Sequence, residues 1–146
     1  MVLNIASFVI KFCGLGLIIA AGGLWATADV DTRPKNRDEQ TLIGGAIWSQ
    51  TQIPIGLIIS MIVDEELYLF LHTYFLCIGC LILSITGATL ITVESKKLKR
   101  RESVVVIGNV TIHSRRPFDK TYFSIGVLTQ TAALLTFADL VINLIQ

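Results

Sequence analysis

The strongest constraint on this chain is the length of its apolar runs. Four segments, about residues 3–27, 41–63, 67–93 and 122–145, are each long enough to cross about 30 Å of hydrocarbon at about 1.5 Å per residue. Backbone polar groups cannot be left unpaired in lipid, so such segments must be helices or strands of a closed barrel. A barrel strand alternates apolar and polar residues, and continuous runs of this length do not. The expectation is therefore an all-α integral membrane protein, an antiparallel four-helix transmembrane bundle with residues 1–146 as one domain. Composition agrees: 53% of residues are hydrophobic and 16% charged, with a mean hydropathy of +0.69. A soluble domain carries about 25% charged residues, and a small fold has little interior in which to hide so many aliphatic side chains. The first run is too long for the apolar core of a signal peptide and has no basic segment before it, so it reads as a span.

The connections are short. Residues 28–40, "ADVDTRPKNRDEQ", form a polar, turn-forming link, and Asp64-Glu65-Glu66 a tight acidic turn. Residues 94–120 form the longest connection. It opens on the basic run Lys96, Lys97, Lys99, Arg100 and Arg101 and carries Arg115 and Arg116 further on. Between them, "SVVVIGNVTIH" places β-branched runs on either side of Gly108-Asn109, the pattern of a small β-hairpin with a glycine-first turn between the third and fourth helices. An isolated hairpin is marginal in water, so this one needs a surface to lean on. These basic residues and the hairpin make this loop the expected interaction element. A net charge of +1 supplies no field for nucleic acid.

Within the spans, Gly14, Gly16, Ala20 and Gly23, then Gly44, Gly45 and Ala46, then Gly79, Ser84, Gly87 and Ala88 supply small residues for close helix approach. They build either the monomer's own packing or an oligomer face. Gln50, Gln52 and Gln130 can hydrogen-bond between helices, and Pro54 can kink the second one. The cysteines Cys13, Cys77 and Cys80 lie in apolar runs, which excludes a disulfide-stapled ectodomain and makes them small core residues.

Three titratable residues fall inside the spans: Lys11, His72 and Asp139. Ionisable groups in hydrocarbon are costly and therefore mark a pair or a function. Four crossings put the amino terminus, the 64–66 turn and the carboxyl terminus on one side. Counted from that side, the three residues lie at depths agreeing within roughly 4–5 Å, less than the reach of a lysine stem. A shared intramembrane polar layer is thus allowed, its simplest form a Lys11–Asp139 pair between the first and last helices. A proton relay through His72 would need a continuous polar stripe that the sequence lacks.

No phosphate-binding glycine loop, no metal-spaced His/Cys set and no Ser-His-Asp or Cys-His group can be assembled, since His72 and His113 are the only histidines. Cys77 and Cys80 form a CxxC without a βαβ context. Neither an enzymatic activity nor a cofactor, metal or catalytic residue is expected.

The short amino terminus running into "SFVIKFCGLGL", the third span "LCIGCLILSITGATLI", and the fourth span "SIGVLTQTAALLTFADLVI" with its aliphatic-Ala-Asp-aliphatic ending resemble the MARVEL-like four-span membrane proteins. Within that family the chain is similar to the Snakeskin-type proteins of insect septate junctions. Claudins match less well, because "GGLW" at Gly22–Trp25 is not followed by their paired loop cysteines. The resemblance implies a junctional scaffold in the plasma membrane with cytosolic termini, and it brings no catalytic residues.

The first functional expectation is thus a non-enzymatic tetraspan scaffold or cell-junction protein, assembling as a homo-oligomer or within a larger membrane-protein complex. The alternative is an accessory subunit of a channel or transporter; the third is a small ion or proton carrier. Signals for orientation conflict. Eleven of the twelve Lys and Arg lie in connections 28–40 and 94–120, which by the positive-inside rule places those loops in the cytosol. Lys11 ahead of Asp29 and Asp31, the glycosylation sequon Asn109-Val110-Thr111 and the resemblance favour cytosolic termini instead.

Overall fold

The computed structural model describes residues 2–28, 37–63, 68–99, 105–107, 110–112 and 118–145. Four helices dominate: α1 (Val2–Thr27), α2 (Arg37–Val63), α3 (Leu69–Lys99) and α4 (Lys120–Ile145), with strands β1 (Val105–Ile107) and β2 (Val110–Ile112) between α3 and α4. Each of the four helices is long and apolar enough to cross a membrane, over Ile5–Thr27, Ile43–Val63, Leu69–Lys97 and Lys120–Ile145. Large apolar side chains stand exposed on all four, among them Phe12, Trp48, Leu81 and Phe137.

Most hydroxyls inside these helices are satisfied by their own backbone. Thr86, Thr129 and Thr136 donate to the carbonyls of Ile82, Ile125 and Ala132 at 2.8, 2.7 and 2.9 Å. Such i−4 bonding removes the hydroxyl's need for a neighbour, so threonine here costs little in an apolar setting.

α3 does not end near Val93, as the apolar run suggested, but continues to Lys99. Lys96, Lys97 and Lys99 are thus helical rather than part of a loop. The cause is local: Glu94 pairs with Lys97 one turn on, and lysines near a helix carboxyl end interact favourably with its dipole. Glu94 is 3% exposed, and its second oxygen accepts the backbone N–H of Asp119 at 3.1 Å. Asp119 in turn caps α4, its carboxylate accepting the N–H of Thr121 at 2.8 Å. This clasp joins the end of α3 to the start of α4.

α1 and α3 each pack against both α2 and α4, with α3 against α4 the most extensive contact. That contact depends on two glycines. A Cβ at Gly87 would lie 2.9 Å from the Gln130 backbone nitrogen, and one at Gly126 3.0 Å from the Leu90 Cβ, so any larger residue forces the helices apart. Gly44 fits under Trp25, whose indole also meets Tyr122 edge-on at a centroid separation of 5.6 Å. Gly16, Gly23 and Gly45, by contrast, have nothing among the described residues within 4 Å of a Cβ position, so these small residues do not mark a close helix approach there.

The buried apolar residues form two clusters. The larger joins Ile18, Trp25, Ile47, Leu83, Tyr122 and Ile125 with several alanines; the smaller consists of Leu57, Leu76 and Leu140. β1 and β2 pair antiparallel, Val105 opposite Ile112 and Ile107 opposite Val110. The Gly108-Asn109 turn, the acidic turn 64–66, and most of the 28–40 connection lie outside the described residues.

Candidate functional site

The i, i+4 spacing of Ser7 and Lys11 puts both on one face of α1, and that face meets Asp139 of α4. The Lys11 ammonium lies 2.8 Å from Asp139 Oδ2, with the two side chains 2% and 1% exposed. Ser7 completes the contact. Its hydroxyl accepts from Lys11 Nζ and donates to Asp139 Oδ1; Asp139 Oδ2 faces the ammonium as an ion pair and, among the described residues, accepts no hydrogen bond. One turn beyond, the Asn143 side chain donates to the Asp139 carbonyl at 3.1 Å and is itself buried. Desolvating two charges costs several kcal/mol per ion unless the geometry is good and the remaining lone pairs and protons are bonded. The Ser7 hydroxyl, wedged between the ions, serves that need.

His72, the third member of the expected polar layer, is half-buried near the start of α3. It makes no hydrogen bond to Lys11 or Asp139; among the described residues its Nε2 and the neighbouring Thr73 Oγ1 have no partner. The structure therefore brings Lys11 and Asp139 into contact and leaves His72 out of the pair.

The glutamines behave differently from expectation. Gln52 is exposed, while the Oε1 atoms of Gln50 and Gln130 are buried without a hydrogen-bond donor among the described residues. Gln130 Oε1 instead lies beside Gly87, where α3 and α4 approach most closely. Cys77 and Cys80 are half-buried free thiols, and Cys80 makes a long 3.7 Å contact to the Ala133 carbonyl. Cys13 is exposed on α1 rather than in the core.

Of the expected interaction residues, Lys96 is exposed and Lys97 is held by Glu94; Lys99 ends α3. Arg100, Arg101, Arg115, Arg116 and Asn109 lie outside the described residues. Sequence reasoning missed Ser7, Asn143 and the Glu94–Asp119 clasp. Ser7 and Asn143 each stand four residues from a charged residue within a span, a signal that could have found them. Comparison with known proteins yields no matching family model, no matching curated protein and no matching solved structure.

Proposed function

We propose that the chain is a tetraspan membrane scaffold without enzymatic activity: an antiparallel four-helix transmembrane bundle whose exterior assembles laterally with further copies or with partner membrane proteins. The observation that carries this reading is the way the intramembrane charges are used. Lys11 and Asp139 neutralise each other inside the chain, while the exteriors of all four helices remain apolar. A transport path needs a continuous run of polar groups, whereas a scaffold needs a rigid interior and faces that pack against other helices. Gly16, Gly23 and Gly45, where an added Cβ would meet nothing within 4 Å among the described residues, suit that lateral packing.

The paired strands and the basic end of α3 form the candidate recognition element outside the membrane. The resemblance to MARVEL-like and Snakeskin-type septate-junction proteins supports a plasma-membrane junction as the site of action, with both termini in the cytosol.

Affinity recovery of the tagged full chain in mild detergent tests the proposal. Co-recovery of a second copy or of junction proteins, lost when residues 100–117 are replaced by a Gly/Ser linker while membrane insertion persists, is the expected result. Recovery with a channel or transporter would make the chain an accessory subunit. Recovery alone, with ion flux after reconstitution, would make it a carrier.

A further inference from the structure

Between the two apolar clusters lies a small cleft of about 30 Å³, walled by all four helices. Its lining is mostly aliphatic, but Lys11, Gln50, Thr136 and Asp139 also face it. Gly14 lines it too. Gly14 is buried, yet a Cβ added there would meet nothing within 4 Å, so this glycine borders open space rather than a packed neighbour. On the opposite wall, a Cβ at Gly79 would lie 3.1 Å from Gln50 Oε1, which places that oxygen at the cleft.

The hydrogen-bonding capacity around this space is unbalanced. Gln50 is 3% exposed, and its Oε1 has no donor among the described residues. Pro54, four residues on and also in the lining, has no N–H with which to satisfy the Gln50 carbonyl. Across the cleft the Lys11 ammonium has three protons, of which the Ser7 hydroxyl takes one; Asp139 Oδ2 lies 2.8 Å away as its ion-pair partner but, among the described residues, accepts no hydrogen bond. An acceptor without a donor and a donor with a proton to spare thus line one cavity without bonding each other.

We infer that this cleft is a hydrated site within the hydrocarbon layer, occupied by one or two water molecules that connect Gln50 to the Lys11–Asp139 pair. Water is the smallest molecule that both accepts from Lys11 and donates to Gln50, and a cleft of about 30 Å³ holds one or two at about 10–15 Å³ each. An apolar occupant would leave Gln50 unsatisfied, and cavities that stay dry are lined by apolar groups alone. A metal cation is disfavoured because the Lys11 ammonium already occupies the carboxylate. The inference rests on α1–α4 being membrane-inserted, since only there is bulk water absent and its presence at Gln50 informative.

The test is water-edited solid-state magnetic resonance on the full chain in phosphatidylcholine vesicles. Magnetisation from water protons is expected to reach Gly14 and Gln50 several-fold faster than Gly16, which faces outward with nothing near it. Gly14→Val, which fills the open space without replacing a polar group, should remove the transfer at Gln50 while the rest of the spectrum persists. Gln50→Leu separates wet from dry by sign: it lowers Tm if Oε1 is hydrated and raises it if the oxygen is an orphan in a void. Transfer at Gln50 no faster than at Gly16, together with a raised Tm for Gln50→Leu, overturns the water site. Resistance to alkaline carbonate, measured on the same membranes, tests insertion separately, so a dry result in a resistant preparation counts against the water site alone.

Discussion

A buried ammonium is stable in an apolar layer when a counter-charge and neutral hydrogen-bonding groups surround it, and Lys11 has both. The pair's net contribution against an apolar replacement is small, but each half is expensive without the other. Lys11→Leu and Asp139→Leu should therefore each destabilise by about 3–5 kcal/mol, whereas the double variant should lie well above the worse single in a detergent melting series. A double variant no more stable than that single would deny the coupling. Ser7→Ala leaves each ion one bond short and should cost about 1–3 kcal/mol, measured in the same series. Lys11 and Asp139 could be paired from the sequence because charges in long apolar runs are conspicuous and helix depth is countable. Ser7 was not legible in this way, since serine is tolerated anywhere in a membrane helix; its role depends on the rotation of α1 against α4, which hydropathy does not encode.

For the helices themselves, number followed from the apolar runs, while the ends of α2 and α3 and most of the close packing did not. α3 runs past its apolar stretch because Glu94 and Lys97 extend it, an electrostatic effect invisible to a hydropathy window. Glu94→Ala removes the acceptor for the Asp119 N–H and should cost about 1–3 kcal/mol, with hydrogen exchange rising at the first turn of α4. Small residues were recognisable as a class, yet their duties differ, and only packing separates them. Gly87→Ala overlaps the α4 backbone and should destabilise by about 1–3 kcal/mol, whereas Gly16→Ala should stay within about 0.5 kcal/mol. Equal melting of these two variants would contradict the α3–α4 contact described. If Gly16→Leu instead disrupts partner recovery without altering the melt, that face belongs to the assembly.

At the scale of the whole molecule, four helices long and apolar enough to cross a membrane enclose an internal charge pair. Orientation decides which compartment meets the basic end of α3. Cytosolic termini expose the Asn109-Val110-Thr111 sequon to the lumen, so expression in glycosylation-competent cells should give a glycosidase-sensitive shift that Asn109→Gln abolishes. No shift, with loop tags accessible to protease from the cytosol, would favour the positive-inside orientation. The most direct test of the central claim, a four-span scaffold assembled through lateral contacts, is native mass spectrometry of the tagged full chain released from its membranes in a lipid-preserving polymer. The account predicts particles holding the 16.0 kDa chain together with a second copy or a distinct membrane protein. Particles of the single chain alone, from a protein that conducts ions by itself in vesicles, would contradict it.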